Sequence, residues 1–150
     1  METITAKPPI HLWIVGVLSL LWNGFGCYDY YMTRTEGADY IQSMMPGLDG
    51  AAFMDYINNF PIWASIGWGL GVWGALLGSI LLLMRSRLAV PVFMVSLIGA
   101  IAGIGYQLAV PAEIAGLDSG PTAFVPYVVL AIAAFLLFYA RAMKARGVLN

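Results

Sequence analysis

The stretch PIWASIGWGLGVWGALLGSILLLMRSRLAVPVFMVSLIGAIAGIGYQLAV, Pro61 to Val110, contains two apolar runs separated only by Arg85-Ser86-Arg87. Each run is long enough to cross a hydrocarbon core roughly 30 Å thick, which takes about 20 helical residues. Neither run shows the alternation of a barrel strand. Inside a bilayer the backbone must satisfy its own hydrogen bonds, so the runs read as two transmembrane helices joined by a tight basic turn. Their expected bounds are about 61–84 and 88–110. Asn58 or Asn59 is placed to cap the first, and Pro61 falls in its first turn, where a missing N–H is harmless. Pro91 opens the second helix and Pro111 closes it.

Two further runs of this kind flank the pair. One spans about 10–32 and is entered through Pro8-Pro9; the other spans about 122–140, with Pro126 early in the helix. The N-terminal run is long and is followed by no small-residue cleavage pattern, so it is expected to stay as a span. The composition agrees. The chain has 150 residues, of which 61% are hydrophobic and 10% charged, where soluble domains average about 25% charged. So few charges cannot coat a globule, and the expected fold is all-α: one integral membrane domain over 1–150, a four-transmembrane-helix bundle embedded in the lipid bilayer.

The same counts exclude several functions. A net charge of −1 offers no basic footprint for nucleic acid. A single cysteine excludes an intrachain disulfide and a CxxC redox pair. A lone histidine without a carboxylate cluster argues against zinc or haem, and no cofactor is expected.

Orientation follows from the basic residues. With four spans, Lys7, Arg85, Arg87, Arg141, Lys144 and Arg146 fall on one side, and Arg34 alone falls on the other. The positive-inside rule then makes both termini cytoplasmic, with the protein in a bacterial inner membrane as a multi-pass chain. Asp29, Glu36, Asp39, Asp49, Asp55, Glu113 and Asp118 fall at or beyond the opposite face. In the first outer loop, Asp49 is placed to cap a short amphipathic helix carrying Phe53, Tyr56, Ile57 and Phe60 at helical spacing. Pro46-Gly47 separates it from an earlier piece with Tyr40, Ile41 and Met44. Such a helix covers the bundle end at the membrane surface or acts as a lid over a cavity.

Membrane helices associate through close packing and a few hydrogen bonds. Gly67, Gly71, Gly74 and Gly78 form a stripe on the second span, Gly99 and Gly103 one on the third, and Gly16, Ser19 and Asn23 one on the first. These stripes are expected to bring the first three helices together, with a homodimer face as the alternative use. The fourth span has only alanines and is expected at the periphery.

Polar residues inside a membrane are candidate functional groups. Counting from His11 at 1.5 Å per residue, Asn23 lies about 18 Å in, near the midplane, and Asp29 about 27 Å in, at the edge. Asp29 sits among Tyr28, Tyr30 and Tyr31, as in an aromatic interface belt. It therefore reads as a boundary residue, with water, Arg34 and lipid head groups as partners. The rival reading is an outward pocket built from Asn23, Asp29, Trp68, Tyr106 and Gln107, suited to a small polar or sugar-like ligand. Cys27 reads as a packing residue, because no base accompanies it.

The segments LLWNGFGCYDYYMT, GVWGALLGS and LLLMRSRLAVPVF resemble a family of small bacterial four-span membrane proteins that often carry the label "sugar transporter". The resemblance covers the first three spans and implies the architecture; the family has no assigned catalytic residues. Small multidrug exporters differ in using a carboxylate near the middle of the first span. Four-span glutathione-linked enzymes differ in carrying clustered Arg, His, Asn and Glu. The expectation is a non-catalytic membrane protein: a small-solute transport component, or alternatively an accessory or assembly subunit of a larger membrane complex. A membrane enzyme is a distant third, for want of a nucleophile–base or metal constellation.

Overall fold

The computed structural model describes residues 6–117 and 120–150, so Asp118 lies outside the described residues. Helices α1 (Ile10–Thr35), α4 (Ile62–Leu83), α5 (Ala89–Ala109) and α6 (Val125–Ala145) are the long ones. All four are long and apolar enough to cross a membrane. The short α2 (Ala38–Met44) and α3 (Gly50–Asn58) lie between α1 and α4, and a 3₁₀ turn, Gly120–Phe124, leads into α6.

Local chemistry sets the ends. Helix α1 continues past the expected Met32, and Thr33 is buried. It stops where Gly37 takes φ 58° and the N–H groups of Glu36 and Gly37 both bond the Met32 carbonyl. That left-handed conformation is one a glycine adopts without steric penalty. Asp49 caps α3 as expected, accepting from the Ala52 N–H at 3.0 Å. The expected asparagine cap of α4 does not form. Asn59 instead closes α3, its backbone N–H bonding Asp55 and Ile57 carbonyls, and Pro61 flanks α4 without a side-chain cap.

The long helices pack in the order α1, α4, α5, α6, with the α4–α5 contact the most extensive. Its closeness comes from glycine. A Cβ on Gly99 would stand 2.6 Å from the Gly67 carbonyl oxygen and 2.8 Å from the Gly71 nitrogen. A Cβ on Gly78 would stand 2.6 Å from the Phe93 ring. Gly16 performs the same service for α1, where a Cβ would overlap Leu83 of α4. Helix α6 has the smallest buried share of the four and packs on α5, as its lack of small or polar stripes implied.

Ala6 and the C-terminal tail meet the α4–α5 turn at one end of the bundle. Arg85 takes φ 58° there, an uncommon state for a side-chain-bearing residue. The Asn150 N–H donates to the Arg85 carbonyl at 2.6 Å, and the Arg87 N–H donates to the Asn150 carbonyl at 2.8 Å. Arg85 Nε and Nη2 donate to the carbonyls of Val148 and Ala6, and Arg87 Nε donates to that of Leu149. Val148 and Leu149, 3% and 0% exposed, thereby enter a core with Leu12, Leu82, Phe93, Leu136 and Met143. The two arginines of the turn bind the tail as well as carrying charge.

Candidate functional site

Helix α1 turns one face toward α4, and Gly16, Ser19, Asn23 and Cys27 are buried on it. Asn23 Nδ2 donates to Ser79 Oγ at 2.9 Å and to the Ala75 carbonyl at 3.2 Å. Ser79 Oγ in turn donates to the same Ala75 carbonyl at 2.9 Å. Cys27 Sγ donates to the Val72 carbonyl at 3.5 Å. On the other side of α4, Ser96 Oγ donates to the Gly71 carbonyl at 2.6 Å. These polar groups join helices, and Asn23 faces its neighbour helix instead of an open cavity. Ser79 and Ser96 were not singled out in the sequence, where a serine beside small residues carries little signal.

At the far end, Asp29 is half-buried and accepts a hydrogen bond from the Tyr40 hydroxyl at 2.8 Å. This ties α1 to α2. The expected partner, Arg34, goes elsewhere. Its guanidinium lies 5.0 Å from the Trp68 ring centre and 5.6 Å from that of Tyr30, within cation–π range. Tyr30 and Trp68 are themselves in edge contact at 4.7 Å. Arg34 is one helical turn and more beyond Asp29 and on a different face, so the aromatic pair captures it first.

Tyr106 belongs to a third cluster, with ring contacts to Phe60 at 4.9 Å and Trp63 at 5.7 Å. Beside it Tyr56 of α3 donates to the Val110 carbonyl at 2.6 Å, fastening α3 to the end of α5. Gln107 is half-buried and joins none of these contacts. Four residues of the expected pocket are thus divided among an α1–α4 seam (Asn23), an α1–α2 tie (Asp29), a cation–aromatic stack (Trp68) and a ring cluster with Phe60 and Trp63 (Tyr106), and Gln107 joins none of them. What assembles at this end is a cap: α2 and α3 with the segment after α5, holding Tyr40, Ile41 and Leu48 against Met32, Phe53, Ile114 and Leu117. The α2–α3 corner is close as well, since a Cβ on Gly50 would stand 2.4 Å from the Ala38 carbonyl.

Two shallow depressions mark the surface. An apolar groove along the α4–α5 seam is floored by Gly67 and Gly99 and walled by Trp63, Leu70, Val95 and Ile98. A small cleft in the cap is lined by Met45, Pro46, Gly47, Leu48, Gly116 and Thr122. Neither contains any of the five expected pocket residues. Among the described residues no three His, Cys, Asp or Glu side chains gather as a metal site.

The cap tie has a pH signature. Tyr40 is 6% exposed. Burial first, then the hydrogen bond and negative charge of Asp29, then Tyr28, push its phenol above the ordinary range. A raised folded-state pKa means the contribution is whole below the unfolded tyrosine value of about 10 and is lost as pH climbs above it. Tyr40→Phe is expected to lower stability at neutral pH by about 1 kcal/mol, the lower range for a bond to a half-exposed carboxylate. It should also flatten the decline above about pH 10. Superimposable alkaline melting curves for the two proteins would show that the tie does not hold the cap.

Comparison of the chain with protein-family models, with curated proteins and with solved structures finds no match.

Proposed function

We propose that this chain is a non-catalytic multi-pass protein of the bacterial inner membrane that serves as an accessory or assembly subunit of a larger membrane complex. The observation that carries the reading is the use of the intramembrane polar groups. Asn23, Ser79 and Ser96 are engaged in helix-to-helix hydrogen bonds. A lone transporter needs polar side chains facing a hydrated path, and alternating access is ordinarily built from paired repeats. An accessory subunit needs tight internal packing and broad apolar flanks, and α1 and α6 present such flanks through Trp13, Leu18, Leu21, Phe135 and Phe138.

Small-solute transport is the second reading. It draws on the resemblance of the first three spans to proteins carrying that label and on the cation–aromatic stack of Arg34, Tyr30 and Trp68. Purification of the tagged protein in mild detergent separates the two. Stoichiometric, salt-resistant membrane partners are the expected result. A lone monomer or homodimer would overturn the accessory reading in favour of transport.

The orientation belongs to the same proposal. Six of the seven Lys and Arg residues belong to the end where Ala6 and the C-terminal tail meet, which supports the reading that both termini are cytoplasmic and the α2–α3 cap is outside. A reporter that works only in the cytoplasm should be active when fused after Asn150. Activity of a periplasmic reporter at that position would reverse the whole orientation.

A further inference from the structure

Helix α1 and helix α6 touch near the terminal end, where the His11 Nδ1 and the Tyr139 hydroxyl share a hydrogen bond and their rings meet edge-on at 5.7 Å. Arg146 follows Tyr139 by seven residues, two helical turns, and so falls on the same side of α6. Arg146 is exposed and just past the helix end, where the membrane-spanning reading puts lipid head groups. Away from this polar knot the residues on either side are apolar: Ile14 and Leu18 follow His11 on α1, and Phe135, in ring contact with Tyr139, precedes it on α6, all three exposed. The described acidic residues, Asp29, Glu36, Asp39, Asp49, Asp55 and Glu113, lie toward the other end, so no carboxylate among them neutralises Arg146.

We propose that the α1–α6 seam is a binding site for one anionic phospholipid. Arg146 receives the phosphate by a charge-assisted contact, and the His11–Tyr139 pair supplies a second polar contact beside it. One acyl chain lies along Ile14, Leu18 and Phe135. Charge decides the occupant: a cation beside exposed apolar side chains fits a lipid with net negative charge better than a zwitterionic one. The contrast with Arg141 makes the site specific. Arg141 is equally exposed on α6 but only two residues from Tyr139, so it points to the opposite side of the helix.

This inference rests on the membrane-spanning reading, and the experiment keeps the two apart. The protein is reconstituted in an equimolar mixture of phosphatidylglycerol and phosphatidylcholine, extracted in mild detergent, and weighed intact by native mass spectrometry. The expected result is one retained phosphatidylglycerol on the parent protein and on R141Q. R146Q should retain about tenfold less, the loss of one contact to a charged group, and R146K should recover most of it. Excess inorganic phosphate should not displace the lipid, because the acyl chain holds it too. Equal retention of the two lipids by the parent, equal losses in R146Q and R141Q, or displacement by phosphate alone would each overturn the site. Recovery of the protein in the soluble fraction without detergent would instead overturn the membrane reading and the site together.

Discussion

Leu149→Ala should lower the unfolding free energy in detergent by about 2–5 kcal/mol, the usual range for truncating a fully buried leucine. Leu149 is 0% exposed although it is the penultimate residue, and it fills a core shared by α1, α4, α5 and α6. Its backbone is held from both sides, by Arg87 Nε on its own carbonyl and by the paired N–H bonds between Asn150 and the α4–α5 turn. The side chain therefore cannot relax outward without breaking those bonds, and the cavity left by truncation stays open. Thermal unfolding followed by intrinsic fluorescence measures the change. A midpoint within about 0.5 kcal/mol of the parent, the level of an ordinary surface substitution, would show that the tail is not part of the core.

Gly99→Ala should be the most damaging single methyl group at the contact between α4 and α5. The added carbon would stand 2.6 Å from the Gly67 oxygen and 2.8 Å from the Gly71 nitrogen, both backbone atoms that no rotamer change can move. The α4 and α5 backbones must separate, and overpacking of this kind costs about 1–3 kcal/mol. Gly24, Gly26 and Gly105 supply the control, because a Cβ on any of them meets nothing within 4 Å. There alanine should be neutral or stabilising by about 0.5–1 kcal/mol, through the better helix propensity alone. Gly74→Leu falls on the damaging side, since even its Cβ would press on Ser96 at 3.0 Å. Equal melting temperatures for Gly99→Ala and Gly24→Ala would mean that the stripe is not the helix interface.

Much of this architecture is legible in the residues because a bilayer permits few solutions. Four apolar runs of spanning length can only be helices, and prolines and glycines mark their ends to within a few residues. Small residues at four-residue spacing have one main use in apolar helices, and a Cβ on Gly67 or Gly99 would stand 2.8 Å or 2.6 Å from a carbonyl oxygen of the facing helix. Asp49 capping α3 is a local event, settled within a few residues of chain.

The expected pocket was not legible, and the reason is rotational. Depth along a helix follows from counting residues, so Asn23, Asp29, Trp68 and Tyr106 could be placed at their levels. Which neighbour each side chain faces depends on how whole helices turn about their axes, and packing over many residues sets that angle. Asn23 was taken by Ser79 and Ala75, Asp29 by Tyr40, and Arg34 by Trp68 and Tyr30. The tail is the clearest case. Gly147-Val148-Leu149-Asn150 looks like the frayed end of a basic helix. Its burial depends on the backbone and guanidinium groups of Arg85 and Arg87, more than 60 residues away in the α4–α5 turn. Span number, span length and the segregation of charge belong to the sequence itself, because each residue's transfer into lipid is a local quantity. The partners of Asn23, Asp29, Ser96, Arg85 and Arg87 were decided by tertiary structure, because each bonds a group on another element.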